Sequence, residues 1–189
     1  ARMSAAPDFS DGNKKVGLLI AILALLLAFS EMGNKQADAD SIAKNIEASN
    51  LWSFFQAKTI RRTSTLIAAE EMQANLAGVS DPAVKAAYEA QIKRWRETAA
   101  RYESEPDTNE GRKELIIRAK AAEERRDIQK SRSEVFEMAS GLLQIGIVMA
   151  SAAVITGVGM LVWCAGGLGF GAIVLMGFAI WAPKALPFA

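Results

Sequence analysis

The chain has 189 residues, 22 Lys and Arg against 21 Asp and Glu, no histidine and one cysteine, Cys164. That inventory excludes imidazole-based zinc or haem ligation, Ser-His-Asp and Cys-His nucleophiles and any disulfide within the chain, so no catalytic residue, metal site or cofactor is expected. Acids and bases are intermixed between residues 31 and 134, and no basic excess is offered to nucleic acid.

After an N-terminal tail, residues 1–15, comes an apolar run at 16–29 preceded by Lys14 and Lys15 and closing on the small-x-small pattern Ala28-Phe29-Ser30. It has the ingredients of a signal peptide, yet it reads as a retained transmembrane helix within a first membrane segment, 16–32. At about 21 Å of strictly apolar length it is short, and Lys15 and Glu31 are expected to snorkel towards the interfaces.

A long extramembrane insert, 33–134, is expected next, with helices over about 40–77, 82–104 and 110–134. Asp40 is the expected N-cap of the first of these and Gly78 its stop, the alternative being that the helix runs on from the first span if Gly33 does not break it. Asp81 caps the second and Pro82 takes its first position, where the missing N–H is no loss. On that helix Tyr88, Ile92, Trp95, Ala99 and Tyr102 recur at steps of four and three, a seam of coiled-coil type. The acid-first pairs Asp81 with Lys85, Glu89 with Lys93 and Glu97 with Arg101 support helicity, as does Glu114 with Arg118. Glu105-Pro106-Asp107-Thr108-Asn109 breaks the pattern, and the third helix then continues without a stop into the apolar tail. Its stretch 123–134 has almost no apolar side chain. It is either solvated all round or cross-linked by charge to Lys35, Asp38, Asp40 and Lys44.

Residues 135–181 carry one formal charge, Glu137. A bilayer's hydrocarbon is about 30 Å thick and takes roughly twenty helical residues, so 135–182 reads as a transmembrane hairpin with spans 136–155 and 160–181, turning at 156–159, before a C-terminal tail, 183–189. Gln144 is the strongest hydrogen-bonding side chain inside these spans and is expected to face another helix. Gly167 and Gly171, four apart, would permit close helix approach, either within the hairpin or with a partner.

The most distinctive segment is EASNLWSFFQAKTIR, residues 47–61. On a helix, Ala48, Trp52, Phe55 and Thr59 form one stripe, and Leu51 and Phe54 widen it until it can touch two neighbours. It is either a core layer of the insert or, through Trp52, Phe54, Phe55 and Trp95, a docking face. Together with the first span and with LLQIGIVMAS at 142–151, this segment resembles the "domain of unknown function 4337" family of bacterial membrane proteins, over nearly the whole chain. The resemblance implies a bacterial inner-membrane protein with three spans and a helical insert, and brings no activity, substrate or catalytic residue. Family members often carry basic residues in the turn between the last two spans, where this chain has Gly157-Val158-Gly159.

The expected architecture is therefore all-α: three transmembrane helices with a long helical-hairpin insert between the first and second. Lys14 and Lys15 place the N-terminus in the cytoplasm and the insert in the periplasm, against the opposite pull of Arg118, Lys120, Arg125, Arg126, Lys130 and Arg132. The expected function is that of a non-catalytic accessory subunit or self-assembling scaffold, whose partners are other membrane-protein subunits or copies of itself, and lipid. The alternative is a small homo-oligomeric channel or transport component with Gln144, Ser151 and Thr156 along a pore. No enzyme is expected, since the carboxylates are spread along solvated helix faces.

Overall fold

A computed structural model of the protein describes residues 11–185; the terminal tails expected at 1–15 and 183–189 lie outside it up to residue 10 and beyond 185. Among the described residues there are four α-helices and no strand: α1 (Asp11–Asn75), α2 (Pro82–Glu103), α3 (Arg112–Thr156) and α4 (Gly159–Trp181). Short 3-10 turns follow at Leu76–Gly78 and Pro183–Ala185. Three of the helices, α1, α3 and α4, are long and apolar enough to cross a membrane.

α1 runs unbroken through Gly33 and Asp40. The expected N-cap at Asp40 is therefore corrected: it lies within the helix, accepting a hydrogen bond from Gln36 Nε2 one turn back at 3.1 Å. One glycine costs a helix only about 1 kcal/mol, too little to stop one that is supported on both sides. The helix ends two residues before the expected Ala77, closing through Leu76–Gly78, where Val79 N–H returns to Leu76 O. α2 starts as expected, with the Asp81 carboxylate accepting from Ala83 N at 2.8 Å and Pro82 in the first turn. α3 starts at Arg112, two residues later than expected, because Asn109 adopts a positive φ of 55° and turns the chain first. α3 ends at Thr156, where Gly157 takes a φ of +70° that side chains rarely adopt and donates to Ala153 O at 2.9 Å.

The chain divides into two compact units. The first joins residues up to Ile42 with those from Arg126 onwards; the second is Ala43–Arg125. The division lies several residues outside the apolar sequence because polar bonds extend the first unit. Ser133 Oγ donates to Asn34 Oδ1 at 2.6 Å, and Arg132 donates through Nε to Ala179 O at 3.0 Å and through Nη2 to Ile180 O at 3.2 Å. Of the stretch 123–134, the part around residues 131–133 is thus not solvated all round: the Ser133 bond to Asn34 and the Arg132 bonds to the end of α4 tie it down, and Ser131 is buried. Asp40 and Lys44 bond instead within α1, to Gln36 and Glu47, and among the described residues no ion pair from Lys35 or Asp38 reaches that part.

In the first unit, α1, α3 and α4 pack along small residues. Leu23 is buried among Ala139, Leu143 and Ala150 of α3 and Ala165 and Ala172 of α4. Its two methyls occupy notches: a Cβ added at Gly169 would stand 2.5 Å from Leu23 Cδ2, and one at Gly146 would stand 3.5 Å from Leu23 Cδ1. Small residues let helix backbones come close enough for one leucine to fill the space between three of them.

In the second unit, Ala48 and Leu51 of α1 pack on Leu115, Ala119 and Ala122 of α3, with Trp52, Phe54 and Phe55 half-buried around them. The α2 seam turns inward as its spacing requires: Ile92 and Ala99 are buried, and Tyr88, Trp95 and Tyr102 are half-buried. The surface ion pairs differ from those expected. Lys93 pairs with Glu97 at 3.9 Å and Arg101 with Glu105 at 2.7 Å, because Glu105 at the end of the helix competes for Arg101.

Candidate functional site

The aromatic segment of α1 makes a knot at the turn between α2 and α3. Trp52 meets Phe55 edge to face at 5.6 Å, and its Nε1 donates to Glu123 Oε1 at 2.9 Å. The centre of the knot is Lys58, only 7% exposed, whose ammonium lies 5.4 Å from the ring centroids of both Phe54 and Tyr102. It reaches Glu105 at 3.7 Å and Glu110 at 4.0 Å. Arg112 sits over the Phe55 ring at 5.0 Å, donates to Thr59 Oγ1 at 2.9 Å and pairs with Glu103 at 2.6 Å, and Arg62 reaches the same carboxylate at 3.0 Å. A cation taken out of water needs opposite charge or a ring face, and each cation here has both or one of these.

Two carboxylates at the turn, Glu105 and Glu114, are shifted towards the charged form. Glu114 accepts from Ser104 Oγ at 2.6 Å and from Glu105 N at 3.2 Å, which pulls its pKa below the ordinary value against the opposing effect of burial. Glu105 lies below its ordinary value chiefly through its hydrogen bond from Arg101, and Glu47 through its hydrogen bond from Lys44. Glu114 does not pair with Arg118, as its helical spacing suggested, because it folds back over the turn; Arg118 Nη1 donates to Asn109 O at 3.1 Å instead.

The residues singled out in the sequence therefore separate. Trp52, Phe54 and Phe55 meet Leu115 in one cluster, whereas Trp95 is half-buried on α2 outside it. Gln144 is exposed on α3, between the buried Leu143 and the exposed Ile145. Gly171 packs within the hairpin, where an added Cβ would meet Leu142 Cδ1 at 3.7 Å, while Gly167 has nothing within 4 Å. Ser151 and Thr156 return their hydroxyls to Ile147 O and Ala152 O, each at 2.8 Å.

Sequence reasoning missed Lys58, Arg112, Arg132 and Gly169. A signal existed for Lys58, which stands four residues after Phe54 on one helix face; none existed for Arg132, whose acceptors are 47 and 48 residues away. No group of three His, Cys, Asp or Glu side chains able to hold a metal converges among the described residues.

The outer surface of the first unit is apolar. Leu18, Leu25 and Phe29 of α1, Ile145, Val148 and Ile155 of α3, and Met160 and Phe170 of α4 are all exposed. Trp163 and Trp181 stand out at 85% and 88% exposure, eighteen residues or about 27 Å apart along α4. No curated protein and no solved structure matches the chain. A family model described as a domain of unknown function, DUF4337, matches residues 12–182, nine-tenths of the sequence and both units, and the chain belongs to that family.

Proposed function

We propose that the protein is a multi-pass protein of a bacterial inner membrane, with residues 16–29, 136–155 and 160–181 in the bilayer and the Ala43–Arg125 unit outside it as a helical insert on the periplasmic side. The exposed apolar surface supports this, since a water-soluble bundle rarely leaves so large a patch uncovered. So does the placing of Trp163 and Trp181, whose separation of about 27 Å matches the distance between the aromatic belts at the two faces of a bilayer.

Within that membrane the protein is a non-catalytic assembly component, an accessory subunit or self-associating scaffold. Gln144 carries this reading. A primary amide about 12 Å inside the apolar segment of α3, turned away from its own bundle, would lie unpartnered in hydrocarbon unless another chain meets it. Outside the membrane, Ile46, Ile60 and Ile67 recur at multiples of seven along α1 and are all exposed, which offers the second unit a contact stripe distinct from its buried aromatics.

The experiment is native mass spectrometry of the protein released from nanodiscs, for wild type and Gln144→Leu. The expected result is a particle of more than one chain, loosened in the variant without loss of membrane insertion. A monomer that meets no other chain would overturn the assembly reading, and ion conduction by the reconstituted protein would favour a channel.

A further inference from the structure

We propose that a cleft at the polar end of the first unit binds a zwitterionic phosphoamine group, the headgroup chemistry of phosphatidylethanolamine. The cleft holds about 240 Å³ and is walled by Gly33, Gln36, Ala37 and Asp40 from one side of α1, by Gln129, Arg132 and Phe136 from one side of α3, and by Ile180. That is roughly the volume of eight waters, and phosphoethanolamine has eight heavy atoms.

Its polar atoms are arranged for opposite charges held apart. Asp40 Oδ1 accepts from Gln36 at 3.1 Å, which leaves Oδ2 for a further donor. Gln129 Oε1 is buried and has no donor. Arg132 uses Nε and Nη2 on the last carbonyls of α4, and its Nη1 remains available. Asp40 and Arg132 line one cleft yet make no ion pair with each other. A buried acceptor without a donor costs free energy until a ligand or water supplies one.

A primary ammonium has three N–H donors, and Asp40 Oδ2 and Gln129 Oε1 are two matching acceptors. A phosphate matches the free edge of a guanidinium. Gly33 lets the Phe136 ring lie against α1, and Phe136 and Ile180 carry the wall on into the apolar helices, where acyl chains would follow. A trimethylated ammonium has no N–H to give, and a glycerol headgroup has no positive charge for Asp40. This assignment rests on the reading that those helices lie in a bilayer.

The test uses the full chain in mild detergent, delipidated and then offered equal amounts of phosphatidylethanolamine, phosphatidylcholine and phosphatidylglycerol with identical acyl chains. Bound lipid is counted by native mass spectrometry. The expected result is preferential retention of phosphatidylethanolamine, reduced about tenfold in Asp40→Asn and to a similar degree in Gln129→Leu, as loss of a charge-assisted hydrogen bond implies. Soluble phosphoethanolamine, set against phosphocholine, shows whether the group is recognised without its acyl chains. Equal retention of the three lipids, or variants that retain phosphatidylethanolamine like wild type, would overturn the proposal. If Asp40→Asn fails to fold, Gln129→Leu decides. Protein that survives a carbonate wash of its membranes but shows no preference defeats the cleft alone. Protein released by the wash defeats the bilayer reading, and the soluble phosphoethanolamine arm then decides the cleft.

Discussion

Gly33→Ala should destabilise the first unit although alanine is the better helix former. A Cβ added at Gly33 would lie 2.7, 2.8 and 2.9 Å from three atoms of the Phe136 ring. Ordinary carbon contacts begin near 3.4 Å, so the ring would have to retreat by about 0.7 Å. Its main chain is held, so the shift falls on the ring, against its buried neighbours and into the cleft it lines. Phe136 is buried with Val135 and Ala179, and its carbonyl accepts the Ser30 hydroxyl at 2.9 Å. Overpacking of this kind costs about 1–3 kcal/mol, and the gain in helix propensity returns about 1 kcal/mol, leaving a net loss of up to about 2 kcal/mol. Gly17→Ala, on the same helix with nothing within 4 Å, takes the propensity gain alone. The assay is reversible unfolding in mixed micelles, followed by circular dichroism, for both variants and for Gly33→Ala combined with Phe136→Leu. The pair of single variants should differ by about 1–3 kcal/mol, and the double variant should recover most of the loss. A Gly33→Ala protein as stable as Gly17→Ala would refute the packing argument.

Trp52→Phe keeps the ring but removes the donor to Glu123, and should lower the stability of the second unit by about 1 kcal/mol in a denaturant melt. Gly171→Leu should disturb the hairpin, because Leu142 already fills that space, whereas Gly167→Leu, with nothing within 4 Å, should leave the monomer no less stable and raise it by up to the helix-propensity gain of about 1 kcal/mol. Glu105 and Glu114 have folded-state pKa values below the ordinary carboxylate value, so they bind protons less readily when folded. Their contribution is complete above about pH 5 and fades as pH falls through about 4.3 towards the folded-state values. An acid titration of helicity should therefore show the second unit weakening in that window, with a shallower slope in Glu114→Gln.

The helical class, the starts of α2 and α4 to within a residue, and the inward seam of α2 were legible because each rests on a local signal: a cap, a proline, or a spacing of three and four. The boundary at residue 40 was misplaced because composition changes there while the backbone does not. The candidate site was less legible. The pattern at 47–61 marks Trp52 and Phe55 for burial, but nothing local says that Lys58 lies between two rings, one of them 44 residues away on α2. Glycine spacing drew attention to Gly167 and Gly171, whereas the notch is at Gly169. Which glycine receives Leu23 depends on how two helices face one another, and a two-residue change of face is invisible to composition.

The bond from Arg132 to the end of α4 bears on movement. A helix whose last carbonyls are gripped by a side chain of its neighbour, and whose first residue follows that neighbour by only Gly157 and Val158, is pinned at both ends. α4 therefore has no stroke along its own axis against α3. Nor does it turn freely in place, because Leu23, seated at Gly169 between Ala165 and Ala172, keys its middle to α1.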